Sequence, residues 1–373
     1  MDQRRRASVA SWLGVLFGLV LLLMIVGGYV RLTQSGLSLP GWPLVEGRLL
    51  PPVTEQGWVD MFALYEQDME VLKSKREAGM IGLGAMGHIP HNLSDFKRIF
   101  LIEWSHRFLA ALVGIVGIGC MTVLLRDRGM RRLAGAPIIG IVSLIVIQSI
   151  IGGILVLTHT STHWLFIHLG MATMILAMIL WTLVLLLRGS KASVGPEVLA
   201  LRRSPRRWVK IALVAVYVQI LLGALVAGSR HNGFSTSWPD MNGTMVPTLW
   251  NASQSMAWNL LDNPYLHQWV HRWFAWAVVI AVGAYMATTM SAPMGNRGRI
   301  ASRLAFSALT LQVVLGILNV LHGAALFIAM SHLVIALLLW AALCLAAFDL
   351  RHEQPAEALA SARKGLAASG DPS

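Results

Sequence analysis

The chain has 373 residues, of which 56% are hydrophobic and only 13% charged, and its mean hydropathy is +0.63. A soluble domain carries about a quarter charged residues, so this composition excludes a soluble globular protein and indicates an integral membrane protein. The formal net charge of +12 does not indicate nucleic-acid binding, because membrane proteins concentrate Lys and Arg in their cytoplasmic loops.

Eight apolar runs are long enough to cross a bilayer, which takes about 20 residues per helix. The sequence therefore predicts an all-α integral membrane fold. The predicted spans are residues 10–31, 99–124, 134–157, 164–187, 209–229, 267–289, 303–322 and 327–350. The first run follows only a short basic segment and lacks a small-residue cleavage site, so it is interpreted as a retained helix.

The basic residues between the runs predict the orientation of the chain. If the eight helices alternate in direction, four basic clusters fall on one side of the membrane: residues 4–6, 126–132, 188–210 and 297–303. The positive-inside rule assigns that side to the cytoplasm. Both termini are therefore expected in the cytoplasm of a bacterium, with the protein in the inner membrane.

Two connections on the opposite, outer side are long. The first covers about residues 32–98 and contains an amphipathic stretch from Trp58 to Leu72; the other covers about residues 230–266 and is rich in Gly, Pro, Asn and Trp. Loops of this length are uncommon in the absence of a function. They are either solvated connectors or caps over sites at the outer membrane edge.

An internal repeat divides the chain into halves. In the first half, His168 follows His106 by 62 positions, and in the second half His332 follows His271 by 61. Further matched pairs are Gln148 with Gln312, Gly152 with Gly316, and Trp42-Pro43 with Trp238-Pro239. Because each half has an even number of helices, the two copies share one orientation. The repeat predicts two tandem pseudo-symmetric four-helix bundles.

The expected organisation follows from the spans and the repeat. It consists of a cytoplasmic N terminus (1–9), an N-terminal four-helix bundle (10–187), a basic cytoplasmic linker (188–208), a C-terminal four-helix bundle (209–350) and a disordered cytoplasmic tail (351–373).

Four histidines are predicted near the outer ends of their helices, two in each bundle. They are His106, His168, His271 and His332. Two opposed imidazoles suit axial coordination of a haem iron better than a zinc site, which requires further ligands. Arg107 and Arg272 directly follow two of these histidines and could pair with haem propionates. The alternatives are hydrogen-bonded packing histidines and arginines that extend to the membrane surface.

The halves differ at one position that matters for chemistry. Glu103 precedes His106 by three residues, whereas Gln268 precedes His271 by three. A site that only carries electrons does not need a buried carboxylate, but a site that moves protons while it oxidises a substrate does. The N-terminal bundle is therefore predicted to be the reaction site, with Glu103 as the catalytic residue. The alternative is that Glu103 forms a structural hydrogen bond or an ion pair with Arg107.

Several segments together resemble the haem A synthase family. They are GGYVRLTQSGLS with the later GWP, DFKRIF followed by EWSHR, HLGMA, NGFSTSWPDMNGTMVP, HQWVHR and MSHLVIA. The resemblance covers nearly the whole chain except the termini and the middle of the first outer loop. Some members of this family carry a cysteine pair in that loop; this chain has none between residues 32 and 98 and resembles the class shared by mitochondria and related bacteria.

The resemblance implies an oxidoreductase that converts a ring methyl group of haem O to the formyl group of haem A, the cofactor of terminal oxidases. It implies that His106 and His168 ligate the haem O substrate, that His271 and His332 ligate a permanent haem b, and that Glu103 is essential. Haem O synthase and terminal-oxidase assembly factors are candidate partners. The electron acceptor and the oligomeric state are left open.

Two other functions remain to be distinguished from this one. A di-haem b-type cytochrome would carry electrons with two permanent haems, and a haem chaperone would exchange haem without modifying it. The first does not explain why Glu103 and Gln268 differ between the halves.

Overall fold

A computed structural model describes residues 3–39, 41–42, 50–77, 88–188, 196–229 and 235–352. Within these ranges the regular secondary structure is helical, apart from one isolated bridge between Met241 and Thr244. The predicted all-α class is confirmed.

The described residues form eleven helices. In chain order they are α1 (Gln3–Leu32), α2 (Glu55–Glu77), α3 (Leu93–Leu125), α4 (Arg128–Leu157), α5 (Thr162–Arg188), α6 (Pro196–Leu201), α7 (Arg203–Gly228), α8 (Met256–Leu261), α9 (Pro264–Met290), α10 (Asn296–Leu321) and α11 (Leu326–His352). All except α2, α6 and α8 are long and apolar enough to cross a membrane, which confirms the eight predicted spans within the described ranges. Of the expected tail, Arg351 and His352 end α11, and residues 353–373 lie outside the described residues.

The helices begin up to seven residues before the predicted apolar runs. Hydropathy detects only the apolar part of a helix, whereas polar first turns continue it beyond the hydrocarbon layer. Three of these starts are capped: Asn92 Oδ1 accepts from the Asp95 amide at 2.9 Å, Asp127 Oδ1 from the Met130 amide at 2.8 Å, and Asn263 Oδ1 from the Tyr265 amide at 3.1 Å. The basic cluster at residues 188–210 likewise contains α6 and the first two turns of α7.

The eight long helices pack as two groups of four. In the N-terminal bundle, α1 packs against α3 and α5, and α4 lies against both α3 and α5. In the C-terminal bundle, α7 and α10 each pack against both α9 and α11. The bundles meet where α5 contacts α7 and α11, and where α1 contacts α11. This arrangement agrees with the two bundles predicted from the repeat.

Close helix approach holds the two bundles together. A Cβ added to Gly28 on α1 would lie only 2.2 Å from Leu333 Cδ2 on α11, so a larger residue here would force the Leu333 side chain to move. At the C-terminal end of α1, the Arg31 guanidinium donates to the carbonyls of Ala227 and Gly228 at the end of α7. A cation at this position also interacts favourably with the negative end of the α7 dipole.

The amphipathic stretch predicted in the first outer loop is α2. Its apolar face packs on the start of α3, in a cluster that includes Met61, Tyr65, Phe96 and Phe100. The Tyr65 hydroxyl donates to the His88 carbonyl at 2.6 Å. Burial, together with the nearby Glu103 and Asp95 carboxylates, raises the pKa of Tyr65, so this donor keeps its proton. In the described part of the first loop, α2 thus packs against the start of α3.

Candidate functional site

His168, His271 and His332 lie about two turns into α5, α9 and α11, whereas His106 lies 13 residues after the start of the longer helix α3. These are alternate members of the eight spans, so all four begin on the same side of the membrane. The predicted placement of two imidazoles at one end of each bundle therefore agrees with the helix order. Each of the four side chains is only partly exposed.

The C-terminal pair has a geometry suited to a shared metal ion. The ring centroids of His271 and His332 are 6.5 Å apart, and the rings are inclined by 70°. A bond from a metal to an imidazole nitrogen is about 2 Å, so two rings on opposite sides of one ion have centres about 6 Å apart. The rings are therefore close to the separation that axial ligation requires.

In the N-terminal bundle, His106 packs against Gly27 of α1, and His168 packs against Gly152 of α4. No group of three or more His, Cys, Asp or Glu side chains among the described residues is arranged to hold a metal ion. This site has two described histidines on two helices, which is the number of ligands that a haem iron with two axial histidines needs.

Each of the four imidazoles packs against a glycine of a neighbouring helix. The distances from an added Cβ to the nearest ring atom would be 3.0 Å for Gly27 and His106, 3.1 Å for Gly152 and His168, 3.3 Å for Gly223 and His271, and 3.1 Å for Gly316 and His332. These contacts are tighter than ordinary carbon contacts of about 3.5–4.0 Å. Any larger residue would therefore displace the imidazole.

The glycine contacts follow the repeat. Gly27 and Gly223 are separated by 196 positions, the same separation that relates Trp42 to Trp238. Both halves thus use the same helix-to-helix contacts to place their histidines. The sequence related Gly152 to Gly316 as a matched pair, but it did not identify the imidazoles as the groups that these glycines contact.

Three partly buried glutamines add polar contacts to the histidines. Gln148 Nε2 donates to the His168 carbonyl, and Gln219 Nε2 donates to the His271 carbonyl, both at 2.9 Å. Gln312 Nε2 lies 3.1 Å from His332 Nε2. Each glutamine therefore contacts the histidine, or the backbone of the histidine, that the glycines also fix in place.

Arg107 connects α3 to the segment that follows α1. Its Nη1 donates to the Gly41 carbonyl at 2.8 Å, and its Nη2 donates to the Leu39 carbonyl at 2.9 Å and to Glu103 Oε1 at 2.8 Å. These contacts take up three of the five N–H groups of the guanidinium. We refer to this arrangement as the N-terminal latch.

Arg272 makes the matching contacts in the C-terminal bundle. Its Nη2 donates to the Ser235 carbonyl at 3.1 Å, and its Nη1 donates to the Ser237 carbonyl at 3.0 Å and to the Asp240 carbonyl at 2.8 Å. Ser235 and Ser237 correspond to Leu39 and Gly41 by the same separation of 196 positions. This C-terminal latch therefore repeats the N-terminal latch, a role that the sequence did not reveal for either arginine.

Glu103 is buried, with 3% of its surface exposed, and belongs to the N-terminal latch. Besides Arg107, it contacts the loop: Oε2 accepts from Ser38 Oγ at 2.9 Å and from the Leu39 amide at 3.0 Å. Three of about four lone-pair positions on the carboxylate are thus used, and one on Oε1 remains. Gln268, its counterpart, instead donates to the Ser235 carbonyl at 3.3 Å.

A small cavity of about 160 Å³ lies beside the C-terminal latch, under the outer loop before α9. It is lined by Trp238, Pro239, Arg272, Trp273 and Trp276. Residues 230–234 of this loop, and Pro43 of the first loop, lie outside the described residues.

The residues present fit a haem in each bundle. An added Cβ at any of the four glycines would lie within 3.0–3.3 Å of an imidazole, so the rings pack closely against these helices. The buried Nδ1 atoms of His168 and His332 have no hydrogen-bond partner within the described residues. The Arg272 Nε atom is also buried without a partner among them. These observations describe two similar sites that differ at the residue three positions before the first histidine, which is Glu103 in the N-terminal bundle and Gln268 in the C-terminal bundle.

Comparisons with known proteins agree with this description. The chain matches the COX15-CtaA family, cytochrome oxidase assembly protein, over residues 10–344. It is 35% identical to the haem A synthase of Erythrobacter litoralis over 87% of this chain and 92% of that protein. It is 34% identical to the haem A synthase of Rhizorhabdus wittichii (91% and 93% covered) and 33% identical to that of Paracoccus denitrificans (88% and 84% covered). The matched region includes all or most of each of the eight membrane-spanning helices, both histidine pairs and both latches, and the chain therefore belongs to the COX15-CtaA family of cytochrome oxidase assembly proteins.

Proposed function

We propose that this protein is a haem A synthase, an oxidoreductase of the bacterial inner membrane that oxidises a ring methyl group of haem O to a formyl group. The observation that carries the proposal is the pair of matched imidazole sites, of which only one has a carboxylate beside its histidine. Family membership and the names of its relatives support the same function.

The N-terminal bundle is the proposed reaction site. His106 and His168 hold the iron of the haem O substrate, and Gly27 and Gly152 fix the two imidazoles. The apolar farnesyl tail of haem O is compatible with entry from the lipid between helices. Since three N–H groups of Arg107 are used in the latch, two remain that can pair with a propionate.

Glu103 is the proposed proton acceptor. Conversion of a methyl group to a formyl group takes one oxygen atom from water and releases four protons and four electrons. The free lone-pair position on Glu103 Oε1 can accept a proton or orient a water molecule, while Oε2 remains bonded to the loop. Arg107 donates to Oε1 at 2.8 Å and so holds the carboxylate in place.

The C-terminal bundle is the proposed site of haem b, held by His271 and His332. When bound there, haem b supplies one-electron transfer. Arg272 holds the outer loop over this site, and its two remaining N–H groups can pair with a propionate. The protein thus provides a substrate site and an electron-transfer site in one scaffold, with the final electron acceptor outside the chain.

The test is extraction and chromatography of total haems from a host that makes haem O but no haem A. The host would carry this protein, its Glu103→Gln form, or neither. We expect haem A, or its hydroxylated precursor, with the intact protein and at least a 100-fold loss of product with Glu103→Gln, at the lower end of the effect of removing an acid–base group. Unmodified haem O and haem b in all samples would instead identify an electron carrier or a chaperone.

A further inference from the structure

A basic groove lies at the opposite end of the molecule from the histidines, where α6 turns into α7. The groove has a volume of about 680 Å³. One wall carries four cations, Arg203, Arg206, Arg207 and Lys210, which lie on one face of the first two turns of α7. The other wall is mainly apolar and includes residues of α6.

The groove combines charge with apolar surface. Pro196, Leu199 and Ile211 contribute to its lining beside the four cations. Positive charge at a helix start is unfavourable because it faces the positive end of the helix dipole. Among the described residues, none of the four cations forms an ion pair that offsets this cost. An anion bound in the groove would do so.

The corner between α6 and α7 is held in place. Arg202, at the turn between the two helices, is fully buried, and its Nε donates to the Pro293 carbonyl at 2.8 Å. This bond ties the corner to the connection between α9 and α10. The backbone that carries the groove is therefore held in place at this corner, which lowers the entropic cost of binding a ligand.

We propose that this groove binds the headgroup of one anionic phospholipid. The start of α7 is the end of a membrane-spanning helix, so the groove lies at the level where lipid headgroups meet the protein. Arginine and lysine pair with the headgroup phosphate, and the apolar wall contacts the first part of the acyl chains. The positive-inside rule assigns this end to the cytoplasmic leaflet.

The proposal can be tested with the full-length protein in detergent by native mass spectrometry. Dioleoyl phosphatidylglycerol and dioleoyl phosphatidylcholine would be titrated in parallel. We expect saturable retention of one phosphatidylglycerol per chain in preference to phosphatidylcholine. In Arg203→Gln/Arg207→Gln/Lys210→Gln, which changes only exposed side chains, affinity should fall on the order of 100-fold, at roughly fivefold per removed charge.

The matched control is Arg128→Gln/Arg131→Gln/Arg132→Gln. These three exposed arginines lie at the start of α4, another helix that begins on the same side, but outside the groove. The control should retain the lipid. Equal losses in both variants would mean diffuse surface attraction and overturn the proposal, as would equal retention of the two lipids by the unmodified chain.

Two further measurements distinguish a lipid site from a soluble-anion site and from a folding defect. Displacement of phosphatidylglycerol by millimolar inorganic phosphate would identify a soluble-anion site and overturn the lipid assignment. If the triple variant fails to fold, as judged by its elution on gel filtration, Arg207→Gln/Lys210→Gln replaces it, with an expected loss of roughly 25-fold. Unchanged retention by that double variant would also refute the proposal.

Discussion

Replacement of Gly316 by alanine tests whether the glycines of the two sites position the imidazoles. The new Cβ would lie 3.1 Å from His332 Cε1 and 3.7 Å from Nδ1. Because carbon atoms pack at about 3.5–4.0 Å, the ring has to move by about 0.5 Å. Gly152→Ala makes the same change beside His168, with the same two distances.

The cost follows from this displacement. An extra methyl group in a well-packed site costs about 1–3 kcal/mol, which corresponds to a roughly 5- to 150-fold loss of affinity if the strain falls on the ligand-bound state. Alanine also stabilises a helix relative to glycine by about 1 kcal/mol. The control Gly283→Ala, in α9 of the same bundle, has this benefit without the contact, because nothing lies within 4 Å of its added Cβ.

The assay measures haem b per chain in purified protein, together with its absorbance spectrum, at limiting haem supply. Gly316→Ala should lower haem b content at least fivefold or alter the spectrum, whereas Gly283→Ala should match the unmodified chain. Gly152→Ala should keep its haem b and lose haem A formation. Normal haem b content and spectrum in Gly316→Ala would refute the reasoning that this glycine sets the imidazole position.

Two further predictions concern interactions outside the histidine pairs. Arg272→Lys should release the outer loop at residues 235–240, because lysine cannot bind the three carbonyls with a planar fork of donors. We expect stability to fall by about 2–4 kcal/mol, seen as a lower Tm and faster proteolysis of this loop. Unchanged cleavage would show that the latch does not hold the loop. Hydrogen bonds from the Met130 amide and from Arg5 lower the pKa of Asp127. The stabilisation that ionised Asp127 contributes is therefore present above the ordinary aspartate pKa of about 4 and is lost as the pH falls. The Tm difference between the unmodified chain and Asp127→Asn should shrink towards acid pH, and a constant difference would contradict this.

Most of the fold was predictable from the sequence because the bilayer imposes simple rules. Apolar runs of about 20 residues identified the eight spans, and the spacing between His106 and His168, repeated in the second half, indicated two bundles. The helix ends were not predictable, since hydropathy does not detect capped polar turns such as those after Asn92 and Asp127.

The candidate site was predictable only where side-chain type carries the information. Histidines and a carboxylate within apolar helices are unusual, and the repeat linked them. The ion pair of Arg107 with Glu103 was one alternative considered from the sequence. The other contacts of Arg107 and those of Arg272 could not be inferred in the same way, because their partners are backbone carbonyls and every residue has one. The pairing of Gly223 with His271 was in principle accessible, through the register that relates the two Trp-Pro pairs.

The two latches help to separate a structural role of Glu103 from a chemical one. The C-terminal latch holds its loop with Arg272 and a neutral Gln268, so a carboxylate at this helix position is not required to secure the loop. A carboxylate does lie close to Arg272, but it belongs to Asp240, which is in the loop rather than beside the histidine. The carboxylate of Glu103 is therefore placed next to His106 for a reason other than loop attachment. Glu103→Gln should accordingly leave the first outer loop as resistant to proteolysis as in the unmodified chain while haem A formation is lost; loss of both together would assign Glu103 to the latch alone.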